Sequence, residues 1–260
     1  MATLAPGAAP LTAEARERRF FFIMACAMAA TIVAGFSLNI AMGRSSFAAP
    51  PVVHGHGVIF MGWLALYLAQ AFTIASGRRA LHIRLGKVAY VWIPLMVLAG
   101  GIIMLRSARV HGGPPFFALN EFLISNLALL VCFAGLALWS LRIRRHSGWH
   151  RRLMLVAVAV LTGPGLGRLL PMPLMIPYGW TASFLATLIF PAIAMMADRR
   201  RHGRVHPAYW WGTGIYAGTF VISMLLAFSP LGYAITERIV AGTPGAERPM
   251  HAFLPPGFTM

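Results

Sequence analysis

Seven apolar runs recur along the chain, separated by short polar stretches. They fall at 20–42, 58–76, 88–105, 119–141, 153–170, 176–197 and 209–228. A helix needs about 20 residues to cross a hydrocarbon core about 30 Å thick. Lipid offers the backbone no hydrogen-bond partner, so runs of this length are expected to be helical. The pattern therefore predicts an all-α, polytopic membrane helical bundle with seven transmembrane helices. Pro94, Pro164 and Pro191 fall inside the runs and are expected to kink them. The apolar core of the first run is longer than the roughly 7–15 residues of a signal peptide, so it reads as an uncleaved anchor. Residues 1–19 form an N-terminal segment, 20–229 the membrane domain and 230–260 a tail.

Composition agrees with this pattern. The chain is 58% hydrophobic and only 11% charged, against about 25% charged residues in a soluble domain. The net charge is +16. In a soluble protein that excess would suggest nucleic acid. Here the bases flank apolar spans, where they mark topology and meet anionic lipid headgroups, and nucleic acid is not an expected partner. Arg44, Arg106, Arg109, Arg168, Arg238 and Arg248 lie on one side of the predicted membrane, and the other sixteen of the 22 Lys and Arg lie on the opposite side. The positive-inside rule then puts the N-terminus in the cytoplasm and the C-terminus in the periplasm of a bacterial inner membrane. Cys26 and Cys132 sit mid-run, as small hydrophobes rather than a disulfide framework.

An internal repeat organises the middle of the chain. Leu81-His82-Ile83-Arg84-Leu85-Gly86 and Trp149-His150-Arg151-Arg152-Leu153-Met154 share an apolar–His–x–Arg–Leu pattern, and each follows a basic turn and opens a span. Spans 2–3 and 4–5 thus form two similar hairpins, a four-helix core over residues 54–170, with sites expected at the repeat interface. These motifs, with His56-Gly57-Val58-Ile59-Phe60-Met61-Gly62-Trp63, Gln70 and Gly167-Arg168-Leu169, resemble an uncharacterised family of bacterial multi-pass membrane proteins. The resemblance covers about residues 50–172 and implies a fold, without an activity. Members of that family often carry an acidic residue where this chain has Asn126, which weakens any role needing a charge there.

Ionisable groups at membrane depth are costly and usually functional. The outer level holds His54, His56, His111, Asn120, Glu121, Asn126 and Arg168. His54, His56 and Glu121 have the donors of a copper or zinc site, and Glu121 and Arg168 would neutralise each other as an ion pair. The same residues also suit a headgroup region without a ligand. The inner level holds Gln70, His82 and His150. Membrane b-type haem is held between two His on different helices, which His82 and His150 match by position. Their arginine-rich surroundings equally suit span caps at the lipid surface. His56, Trp63 and Gln70 recur every seven residues, so they share one face of span 2, directed at a cavity, a pathway or a neighbouring helix. Gly163-x-x-x-Gly167 and Gly214-x-x-x-Gly218 are expected to allow close helix packing.

Several classes are excluded. A retinal Schiff base needs a Lys in the last span, and Lys87 is the sole Lys. Di-iron His boxes, Asp-rich prenyltransferase motifs, P-loops, Gly-x-Ser-x-Gly and His-Glu-x-x-His are absent, and no enzyme class is assigned. Three readings stay open. One is a redox or cofactor-handling protein binding haem, a metal ion or a small apolar ligand. The second is a non-enzymatic accessory or scaffold subunit with membrane-complex partners. The third is a small-molecule transporter lined by Arg168 and the His56–Gln70 stripe.

Overall fold

The computed structural model describes residues 12–255 and contains helices and no strands among them. The first eleven residues of the N-terminal segment and the last five of the tail lie outside the described residues. Eleven α-helices occur: α1 (Ala13–Ala41), α2 (Pro51–Ala75), α3 (Arg79–Gly86), α4 (Ala89–His111), α5 (Leu119–Arg142), α6 (Ser147–Val160), α7 (Gly163–Leu169), α8 (Gly179–Thr187), α9 (Ile189–His202), α10 (Pro207–Ala227) and α11 (Pro230–Val240). Six spans are long and apolar enough to cross a bilayer: α1, α2, α4, α5, α8–α9 and α10. The bent pair α6–α7 makes a seventh if it is one span.

Local chemistry sets the ends. The Thr12 hydroxyl accepts the Ala15 N–H, with Glu14 in the first turn of α1. Pro51, Pro207 and Pro230 open their helices where a missing N–H costs nothing. Gly112 and Gly113 end α4 at φ of 66° and 72°, a region that suits glycine. Of the three prolines expected to kink spans, Pro164 lies at the 44° bend between α6 and α7. Pro191 follows the break between α8 and α9 at Leu188. Pro94 lies inside a continuous α4.

The bundle is centred on α5, the most buried span, against which α4, α6, α10 and α11 pack. α2 packs on α1, α3 and α4, and its Trp63 meets Phe133 of α5 edge-on at 5.4 Å. α10 packs on α5 and α6, and more lightly on α9 and α11. The close glycine contact is not made by Gly163, Gly167, Gly214 or Gly218. It is made by Gly165 of α7 and Gly35 of α1, where a Cβ on Gly35 would overlap the Gly165 carbonyl. Gly214 and Gly218 face open space.

Part of the tail is ordered. α11 packs on α5, α4 and α10, and Arg248 donates to the carbonyls of Gly112, Pro115 and Phe117. This arginine fastens the tail over the α4–α5 turn.

Candidate functional site

His82 and His150 come together at the basic end of the bundle. His82 lies on α3, a short helix that breaks from α4 at Lys87–Val88, whereas His150 lies in the unbroken α6. Their ring centroids are 6.3 Å apart with planes at 74°. The His82 Nδ1 is 3.3 Å from the Gln70 carbonyl at the end of α2. The His150 Nδ1 is 3.0 Å from the Ser140 carbonyl and 2.8 Å from the Ser140 hydroxyl at the end of α5. A carbonyl can only accept, so these bonds assign the proton of each neutral ring to Nδ1. Each Nε2 then carries the lone pair. That is the second-shell pattern by which proteins orient a ligating histidine.

The spacing suits a shared ion. Two imidazole nitrogens at about 2.0–2.1 Å from one metal stand about 3.3–4 Å apart, depending on the angle at the metal; adding about 1 Å from each nitrogen to its ring centre gives about 5–6 Å. The charge environment favours neutral rings. Burial, and then the Arg79 charge, hold the His82 pKa below the ordinary imidazole value, while the Gln70 carbonyl opposes them. Arg144 stands near His150 and donates to the Tyr90 hydroxyl at 2.8 Å. Two guanidiniums beside the pair would also receive the carboxylates of an anionic cofactor.

The stripe on α2 leads to this pair. The His56 Nδ1, the Trp63 Nε1 and both amide atoms of Gln70 are buried without a hydrogen-bond partner. Trp63 is 3% exposed. The Gln70 amide lies beside Gly86, where a Cβ would be 3.9 Å from it.

A second cluster at the same end has no local sequence signal. Arg152 is 2% exposed and grips Asp198 with two bonds, Nε to Oδ2 at 2.8 Å and Nη2 to Oδ1 at 2.6 Å. Its Nη2 also reaches Glu17 at 3.0 Å, and Arg151 reaches the same carboxylate at 2.8 Å. Glu17, Asp198 and His202 offer ligand atoms within 4.8 Å of one another. The two arginines already supply the cation there. The clue available in sequence was scarcity, because Asp198 is the one aspartate in the chain.

The outer-level residues stay apart. His54 is exposed and its Nε2 lies 3.1 Å from the Phe47 carbonyl. His56 lies against Phe60, with ring centroids 4.2 Å apart. Glu121 is buried and accepts the Ala118 N–H at 2.8 Å, capping its own helix. Arg168 donates to the Pro164 carbonyl at 2.7 Å and lies 4.1 Å above the Phe36 ring. The expected Glu121–Arg168 ion pair is therefore not formed, since each group has a nearer partner. Nor do His54, His56 and Glu121 converge; among the described residues the sole three-ligand grouping is Glu17, Asp198 and His202. Asn126 is half-buried on α5, and His111 ends α4, exposed.

No protein-family model, curated protein or solved structure matches the chain.

Proposed function

We propose that the chain is a redox or cofactor-handling protein of a bacterial inner membrane that holds a metal centre between His82 and His150. The observation that supports this reading is the close, edge-on pair of imidazoles, 6.3 Å apart, each held through Nδ1 by a backbone carbonyl so that its Nε2 carries the lone pair. A b-type haem iron is the centre that two imidazoles complete, because the macrocycle supplies the remaining nitrogens. His82 and His150 would hold such an iron, which would supply one-electron exchange when bound. The Lys and Arg asymmetry supports placing the pair at the cytoplasmic side, among anionic headgroups.

The purified protein's absorption spectrum and elemental analysis test this. A Soret band with iron, lost in both His82→Ala and His150→Ala while the elution profile is kept, is the expected result. Copper or zinc without a Soret band, lost in the same variants, would assign a bare ion to the same pair. A colourless, metal-free protein from cells replete in haem and metals would sink both forms and leave the scaffold and transporter readings.

A further inference from the structure

The unpartnered atoms of α2 belong to a larger set. Tyr209 Oη and Thr213 Oγ1, one turn apart on α10, are likewise buried without partners. Tyr67, between Trp63 and Gln70 on α2, lies within electrostatic range of Tyr209. Apart from arginine Nε atoms and Asn120 Oδ1, the atoms on His56, Trp63, Gln70, Tyr209 and Thr213 are all the buried side-chain nitrogens and oxygens without a partner among the described residues. Other buried hydroxyls are matched. Ser125 bonds Ser223 and Trp180 at 2.9 and 3.0 Å, and Thr187 bonds Tyr216 at 2.7 Å.

The magnitudes say that something must bond these atoms. Each bare buried polar atom costs about 1–3 kcal/mol. Six of them cost about as much as the 5–15 kcal/mol that stabilises a typical domain. Seven-residue spacing on a helix is about 10 Å, so His56 to Gln70 covers about 21 Å of the membrane's depth. One compact ligand does not reach groups spread that far. Water, small and both donor and acceptor, does. The stripe also ends in the right place, because the Gln70 carbonyl bonds His82.

We propose that a file of water runs along the polar face of α2 from His56 to the His82–His150 pair, passing Tyr209 and Thr213 of α10, and that protons cross the bundle by it. A proton joins the file at one end as another leaves at the other, so no oxidant or reductant is consumed. The file stands whether or not the pair holds a metal, so it and the metal reading can fail separately.

Radiolytic hydroxyl-radical labelling tests the hydration, since activated bound water oxidises the side chains beside it. Trp63 and Tyr209, at 3% and 0% exposure, should label at least about tenfold faster than Tyr216 and Phe133, at 1% and 0%. Proton flux into proteoliposomes under an imposed potential tests conduction. It should exceed that of protein-free vesicles and fall about fivefold in Gln70→Leu and in Trp63→Phe. Trp63→Phe keeps an aromatic ring against Phe133, so a fall there does not reflect lost packing. Equal labelling of the four aromatic residues, or a flux no greater than that of protein-free vesicles, overturns the proposal.

Discussion

Arg152 and Arg168 lie on the two halves of the bent helix pair α6–α7, and the protein treats them in opposite ways. Arg152, on α6, is buried and held by Asp198 and Glu17. Arg168, on α7, meets a carbonyl and the Phe36 ring, with no carboxylate within salt-bridge distance among the described residues. The chain has only six acids, and two of them hold Arg152 where α1, α6 and α9 converge. A charge cut off from water needs a counter-charge. At the other end a ring face and a carbonyl suffice. The basic half of the span is thus held by charge, and the other half by the backbone contact of Gly165 with Gly35.

The largest effect should come from breaking the charged half. Arg152→Ala or Asp198→Ala leaves a buried ion without its partner, which costs about 3–5 kcal/mol. Unfolding in detergent micelles measures it. Arg168→Ala should cost less than about 2 kcal/mol, the strength of a desolvated cation–π contact. Equal losses for the two arginines would erase the contrast. Arg152→Met with Asp198→Leu should recover most of the loss, because an apolar pair of similar size replaces a buried ion pair at little or no cost.

The sequence reveals what the bilayer dictates. Lipid demands a long apolar run for each crossing, and the helices lie where the runs do. The ends are longer than the runs, because α1, α4 and α6 carry their charged turns at Glu17, Arg109 and Arg151 as helix. α11 has eleven residues, too few to register as a span, although Ser229 and Pro230 form a legible helix start. The matching His-x-Arg-Leu segments brought His82 and His150 to notice, and the structure places their rings 6.3 Å apart. The Arg152 cluster stayed hidden because it depends on how three distant helices meet. Scarcity of acids suggested a partner for Glu121, but the third residue of a helix can bond back to its own cap.

The second effect tests the half held by shape. Gly165→Leu puts a side chain against the Ile32 Cα, where even a Cβ would be 2.8 Å away. Overpacking of this kind costs about 1–3 kcal/mol, and here backbone rather than a flexible side chain must move. Gly214→Ala and Gly218→Ala, with nothing within 4 Å of either new methyl group, should be neutral or stabilising by up to about 1 kcal/mol through helix propensity. Comparable losses at all three positions would mean that the α1–α7 contact has no special place in the fold.

The smallest effect concerns Glu121 and decides whether its charge matters. Glu121→Gln keeps an oxygen that accepts the Ala118 N–H, so stability should change by less than about 0.5 kcal/mol. Glu121→Ala removes the acceptor and should cost about 1 kcal/mol, as other lost N-terminal caps do. If the residue acts only as a cap, a cycle with Arg168→Ala should show coupling below about 0.5 kcal/mol, because the two groups share no partner. A larger coupling would mean that the two charges meet in the membrane after all. The α7 half of the bent pair would then be held by charge like the α6 half, and the contrast between Arg152 and Arg168 would become one of degree.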